Sequence, residues 1–425
     1  MCLDRMKSLS CFLVLLIVLK VDRIGGDCIL SLKSDFGSPS PVYLLGGVYL
    51  TPNTASGAIS VRRGAVLTVA CPQRTVTIAG QATRKEVVSV RRGAVLTVAC
   101  PQRTVTIAGQ ATRKEVVDAK CVATSTFSVG RWSGELNQLN CSSAPVFTVK
   151  ETSKACYRGG QTVKVGYTIR DKLHELYSAC FDRGTLNTLF VKHELSPSSV
   201  NTQSGHNRPQ FTGGDLFPTK VHIEKLYKTQ YEKDRFDQLL GPNMADKYFS
   251  KNQFLTRGHL APRADFSFAA LQRATFHFVN VAPQWMKGNR GDWGALEEAL
   301  RRRVKTTNSS VTVYTGTHGV LALPGTQGEK ELYLYSDENN NMAVPVPLYF
   351  YKLVHDPARR AATAFITINS SFFNASTENA LTFCDDACAS WLTWRDDATH
   401  SFCCSYDAFN RVIEHIPQLE VNELY

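Results

Sequence analysis

The sequence predicts an α+β protein, and three observations carry that expectation. Up to about residue 150, Val, Thr and Ile alternate in short runs such as 64–70 and 75–78, and turn residues interrupt them at short intervals. That is the pattern of a small antiparallel β domain. From about Cys156 onward, strand-like and helix-like segments mix. Eleven cysteines follow residue 26 and are spread over both parts, which suits a disulfide framework in an exported chain.

The first 26 residues read as a secretory leader. Arg5 and Lys7 give a positive start, residues 11–19 a short apolar core, and Gly25-Gly26 a small-residue cleavage site before Asp27. Nine apolar residues are too few for a membrane span, which takes roughly twenty. The expected product is a soluble, secreted protein. At Cys384, Cys388, Cys403 and Cys404, with His400 nearby, a zinc site competes with disulfides; the usual two-residue spacing is absent, and disulfides are the expected state. Asn140, Asn308, Asn369 and Asn374 begin Asn-x-Ser sequons, compatible with glycosylated surface loops.

The segment SVRRGAVLTVACPQRTVTIAGQATRKEVV occurs twice without a change, at 60–88 and 89–117. Two identical units are not a solenoid, which needs several diverged ones. They point to a very recent duplication or an error in the gene model, and the cysteines favour the error. Removing one copy leaves ten cysteines, which can all pair. Charge needs the same correction. The chain carries +11 in all, of which one copy supplies +4 and the leader +2, leaving +5. Such a balance does not by itself argue for nucleic-acid binding.

In the second part, 186–195 reads as a strand, 196–214 as a polar loop region, and 215–246 as containing a helix. Residues 275–280 alternate as a strand. Residues 289–304 read as one helix with Trp293, Leu296 and Leu300 on a stripe and Arg301-Arg302-Arg303 near its C-terminal end, where cations suit the dipole. Segments 311–315 and 342–354 read as further strands.

One stretch carries chemistry. Thr256-Arg257-Gly258-His259-Leu260-Ala261-Pro262 is followed by Asn280 and then Asn289, Trp293 and Glu297. A histidine can take a proton from water near neutral pH. Arginine offers a planar fork to phosphate oxygens. Amide and carboxylate oxygens suit Mg²⁺. Together they fit attack of water on a phosphodiester while a hard cation holds the phosphate.

Thr-Arg-Gly-His-Leu-Ala-Pro resembles the Asp-Arg-Gly-His signature of the DNA/RNA non-specific endonucleases, the ββα-metal nucleases. Asn280-Val-Ala-Pro-Gln, with Asn289, Trp293 and Glu297 at nine, thirteen and seventeen residues on, is similar to the family's second block. The cysteines, leader and Pro-Gln-Trp variant make the secreted arthropod branch, which includes duplex-specific and gut double-stranded RNA nucleases, the nearest resemblance. It implies a central antiparallel sheet with flanking helices and a ββα-metal motif, here preceded by the disulfide-tied β domain (27–150 before 151–425).

The resemblance also implies roles. His259 would be the general base and Asn289 the protein ligand to Mg²⁺, with Mn²⁺ as a substitute; a helix N-cap is the other reading of Asn289, and both can hold. Glu297 would grip a metal-bound water, or else pair with Arg301 one turn on. Asn280 would position the histidine segment or simply end a strand. Arg257 would clamp phosphate or hold the loop. Arg208, more loosely aligned, would stabilise transition-state charge or be a solvated loop residue. His277 is expected to be structural. Thr256 stands where the family has Asp. DNA and RNA, contacted through their backbones, are the expected partners, and the rival reading is a silent nucleic-acid-binding protein on the same scaffold. The oligomeric state is not legible.

Overall fold

In the computed structural model the described residues are 28, 30–52, 60–61, 66–70, 89–90, 95–123, 125–204, 206–395 and 399–425. The leader and the 75–78 run lie outside them.

An eight-stranded antiparallel sheet organises the larger part of the chain. Its strands, in spatial order, are Thr148–Tyr157, Gly160–Ile169, Lys172–Asp182, Asn187–Leu195, Val311–Val320, Pro347–Asp356, Ala361–Ile368 and Ser401–Ser405. Spatial order follows chain order, so local hairpins build most of it. Between the fourth and fifth strands, which are direct neighbours (Phe190↔Gly316 through Leu195↔Val311), the chain leaves the sheet for residues 196–310. That excursion holds every residue of the motif.

Both faces of the sheet are covered, and strand alternation sorts the side chains. On Pro347–Asp356, Tyr349, Tyr351 and Leu353 join one core with Phe402 and Phe409. Phe350 and Val354 join the other with Trp293, Leu296 and Val304. Lys352 alternates onto the second face and is 1% exposed. The helix Asp292–Thr307 covers that face because Trp293, Leu296, Leu300 and Val304 recur at helical spacing and are all buried.

Two expected elements are corrected. Residues 275–280 are not a strand: the helix Ala269–Ala274 ends there, Phe278–Asn280 forms a 3-10 turn, and the strand starts at Val281. The alternation misleads because the segment is buried throughout, and its backbone bonds go to the loop beside it (Phe278 N to Thr212 O, 3.0 Å; Thr212 N to Phe276 O, 3.2 Å). The single helix expected over 289–304 is two, Met286–Arg290 and Asp292–Thr307, broken where Gly291 takes φ −79°, ψ −119°. Asn289 therefore sits inside the first helix and caps nothing.

The N-terminal part forms a seven-stranded and a three-stranded sheet. It packs against the larger part through Phe36 and Tyr43 on Phe268 (centroids 5.0 and 5.2 Å), Arg170 on Asp118 (3.0 Å) and the Tyr49 hydroxyl on His174 O. Disulfides Cys28–Cys121, Cys156–Cys180, Cys384–Cys404 and Cys388–Cys403 tie the chain, so the C-terminal cysteines are paired with one another. Two sequons are corrected: Asn369 is buried, bonding Trp285 N (3.0 Å), Pro283 O (3.1 Å) and Pro347 O (3.0 Å), and Asn140 is buried beside Ser38 N (2.7 Å). Neither amide can carry a glycan without breaking those bonds; Asn308 and Asn374 are exposed.

The duplicated strands Val66–Ala70 and Val95–Ala99 claim the same partners. Val42 is in register with both Ala70 and Ala99, and Val117 with both Val69 and Val98. Cys100 is a buried free thiol, 3.6 Å from the Sγ of the disulfide-bonded Cys141. One sheet position thus faces two identical occupants. A chain lacking residues 60–88 is expected to melt no lower than the full chain and, when oxidised and denatured, to titrate with one thiol fewer. A lowered melting temperature, or an unchanged thiol count, would contradict the redundancy.

Candidate active site

The site is built on a hairpin followed by a helix. Leu255–His259 pairs antiparallel with Val281–Trp285, from Leu255↔Trp285 to His259↔Val281, and Met286–Arg290 follows directly. Only glycine fits at 258, since a Cβ there would meet the Gln284 side chain at 2.6 Å. Alternation sends Arg257 and His259 to one face. There the Arg257 guanidinium lies 5.7 Å over Phe211 and 5.8 Å over Tyr227, a cation–π contact on each.

The His259 ring packs against Phe211 and Phe276, each 5.1 Å away. Its Nε2 is enclosed and has no hydrogen-bond partner. Burial lowers its pKa to about 3, and the charges of Arg208 and Arg263 push the same way. The imidazole is therefore neutral across the physiological range. Asn280, fully buried, holds the loop after it: Oδ1 accepts from Ala261 N (2.8 Å), and Nδ2 donates to Ala261 O and Thr275 O (3.0 Å each). Every polar atom of that amide is used, which fits the expected positioning role better than a plain strand end.

Asn289 is oriented by Thr256. The Thr256 hydroxyl donates to Gln284 O (2.7 Å) and accepts from Asn289 Nδ2 (2.8 Å). With the amide nitrogen so engaged, Oδ1 is left on the wall of the cleft without a partner among the described residues. A hard cation wants such an oxygen, so the residues present fit Mg²⁺ or a similar ion. Glu297 lies on the same wall. Burial raises its carboxyl to about 7 against the pull of Lys352. The expected pairing of Glu297 with Arg301 does not form, because Arg301 Nη1 reaches Asp265 Oδ1 instead (2.8 Å).

Beneath Glu297 lies a buried polar group that sequence reasoning missed. His193 Nε2 meets Asp265 Oδ2 (2.9 Å), and Lys352 Nζ donates to Thr315 Oγ1 (2.7 Å) while sitting 5.0 Å over the Trp293 ring. Burial pushes Asp265 up, but the His193 hydrogen bond and the charges of His193, Arg301 and Lys352 outweigh it and hold the carboxyl below its usual range. The available signal was a lone lysine in the apolar run 347–354. Glu232 was also missed. It is 0% exposed, both its oxygens lack partners, and burial raises its carboxyl to about 8 while Arg257 pulls it down.

The site opens on one cleft of about 1310 Å³, which the buried His193, Asp265, Lys352 and Glu232 do not line. It brings together Arg208, Arg257, His259, Asn289 and Glu297 of the expected residues and adds Arg263, Lys228 and Arg290. Asn280 lies behind the wall. His277 is buried and accepts from Val279 N (3.1 Å), a structural role as expected.

The model of the DNA/RNA non-specific endonucleases matches residues 158–416, more than half the chain. This chain belongs to that family. The endonuclease is 33% identical over 298 residues to "Salivary endonuclease" of Lutzomyia longipalpis, covering 68% of this chain and 69% of that protein. It is 24% identical over 300 residues to "Salivary protein Tsal2A" of Glossina morsitans morsitans (67% and 72%) and 28% identical over 187 residues to "Endonuclease G, mitochondrial" of Homo sapiens (43% and 53%). It is a non-specific endonuclease acting on nucleic acid, of a metal-dependent family. Among the described residues no helix is long and apolar enough to cross a membrane.

The half-buried carboxyl of Glu297 makes a stability prediction for the metal-free enzyme. Its folded pKa is raised, so its contribution is present below pH 4.5 and is lost as pH rises through about 7. In chelator, the melting temperature of wild type should fall relative to Glu297→Gln between pH 5 and pH 8, by a few degrees. Parallel pH profiles for the two proteins would contradict the half-buried position.

Proposed function

We propose that the endonuclease is a secreted, Mg²⁺-dependent enzyme that hydrolyses phosphodiester bonds of DNA and RNA, duplexes and double-stranded RNA included, without base specificity. The observation that carries this is the meeting of a neutral His259, an Asn289 Oδ1 without a partner among the described residues, and four arginines on one cleft. The leader-like residues 1–26 and the disulfides support export.

With Nε2 of His259 enclosed, Nδ1 is the nitrogen that opens to the cleft and takes the proton from the attacking water. The water oxygen bonds to phosphorus, the bond to the 3′ oxygen breaks, and that oxygen takes a proton from a second water in the cleft, giving a 5′-phosphate and a 3′-hydroxyl. A divalent ion, when bound, neutralises charge on the phosphate and its leaving oxygen. Asn289 would hold that ion, Thr256 orients Asn289 (2.8 Å), and Glu297 would accept hydrogen bonds from the ion's water. Arg257 and Arg208 face the phosphate, the first braced on its aromatic shelf and the second exposed at the rim. Asn280 fixes the loop after the base. Backbone contacts of this kind carry little base information, which suits broad substrate use.

The silent-scaffold alternative gains nothing, since base, ligand and arginines are all in place. The test is cleavage of plasmid DNA and long double-stranded RNA, with Mg²⁺, Mn²⁺ or EDTA. Wild type should cleave both with either metal and neither in EDTA, while His259→Ala and Asn289→Ala should each lose at least about a hundredfold in rate. Cleavage by His259→Ala at the wild-type rate would remove His259 from its role. Wild-type inactivity under every metal condition would sink the enzymatic reading.

A further inference from the structure

A second, smaller cavity of about 190 Å³ adjoins the catalytic cleft. His206, Pro209, Arg263, Gln272 and Phe276 line both, so the two spaces share a wall. Its far side comes from the N-terminal part: Ser38, Pro39 and Ser40, with Ala144 and Pro145. The space therefore exists only because the two parts of the chain dock.

The docking is rigid where it matters. Phe36 meets Phe268 edge-on and Tyr43 meets it at a tilt, and the Phe268 carbonyl receives Gln272 N (2.9 Å) in the helix Ala269–Ala274. That helix presents Gln272 and Arg273 to the cavity. The opposite loop is fixed by Ser38 N on Asn140 Oδ1 (2.7 Å) and Cys141 N on Pro39 O (3.3 Å). Both walls are set before any ligand arrives.

Charge decides what fits. No Asp or Glu lines this cavity, and two arginines do. Arg263 is aimed by its bonds to Gln272 Oε1 (2.9 Å) and His206 O (3.4 Å). Arg273 is half-buried and has no ion pair or side-chain hydrogen bond among the described residues. A half-buried guanidinium without an ion pair among the described residues, beside an oriented one in an acid-free cavity that shares a wall with a phosphodiesterase cleft, is built for a phosphate.

We propose that this seam is a substrate subsite: it holds the nucleic-acid backbone flanking the cleaved bond, with Arg263 and Arg273 on a phosphate and the N-terminal part as its outer wall. The inference rests on the catalytic reading of the cleft. It gives the N-terminal part a role in binding long substrates.

The test compares wild type, Arg273→Glu and Ala144→Glu on plasmid DNA and on a dinucleotide too short to reach the seam. Arg158→Glu, exposed and distant, controls for bulk charge. On plasmid, Arg273→Glu and Ala144→Glu should each raise KM about tenfold with kcat unchanged, and Arg273→Ala should reduce the salt slope of binding by about one. The dinucleotide should be cleaved as by wild type. Wild-type KM on plasmid for both seam variants, an equal loss on both substrates, or the same loss in Arg158→Glu would overturn the subsite. Loss of all cleavage in wild type would instead count against the catalytic reading, so the two failures are distinguishable.

Discussion

The Thr256 hydroxyl is the joint on which the rest of the site depends. It donates to Gln284 O across the hairpin and accepts from Asn289 Nδ2 on the helix that follows. One oxygen thus fixes the strand bearing His259, the strand after it and the helix bearing the proposed metal ligand. An aspartate at this position could accept from the same amide but could not donate to the carbonyl unless protonated. Threonine therefore replaces a charge with a donor–acceptor relay, and the departure from the family pattern costs the geometry nothing. Asn280 plays the matching part on the other side, using all its amide valences to hold the loop after His259.

Electrostatics in the site is arranged by depth. The groups proposed as base and as water-holding acid are partly desolvated on the cleft wall, so their proton affinities shift. His259 is neutral because it is enclosed among aromatics and faced by arginines, and Glu297 is raised because burial outweighs Lys352. The cations lie at the rim, where Arg208 and Arg290 are exposed. A modest net charge is thus compatible with a cleft whose cationic residues outnumber its two acids, Glu224 and Glu297. Whole-chain charge averages over this and gave no useful guide.

Much of the site was legible because its chemistry is compressed into a short, ordered stretch. Five of the six proposed residues line one cleft, and the sixth, Asn280, lies behind it. The α+β class followed from the change in periodicity near residue 150, and the observed sheet runs from Thr148 to Ser405. What failed did so for local reasons. Residues 275–280 alternate like a strand, yet all are buried in a turn, so period carried no facing information there. The helix break at Gly291 is hidden by the stripe of Trp293, Leu296 and Leu300, which carries the helical reading back to Asn289, although Gly288, Gly291 and Gly294 are breaker residues. Lys352, Asp265 and His193 are distant in sequence, and only the register of adjacent strands and the overlying helix brings them together. The Asn369 sequon looked like a surface mark and is a buried staple under Trp285.

The claim that Thr256 aims Asn289 is tested most directly by divalent-ion titration of Thr256→Val, which keeps the shape and removes the hydroxyl. The midpoint of activation by Mg²⁺ is expected to move at least about tenfold to higher concentration, with most of the rate recovered at saturating ion. An unchanged midpoint would contradict the account, because Asn289 would then hold its ion without the relay.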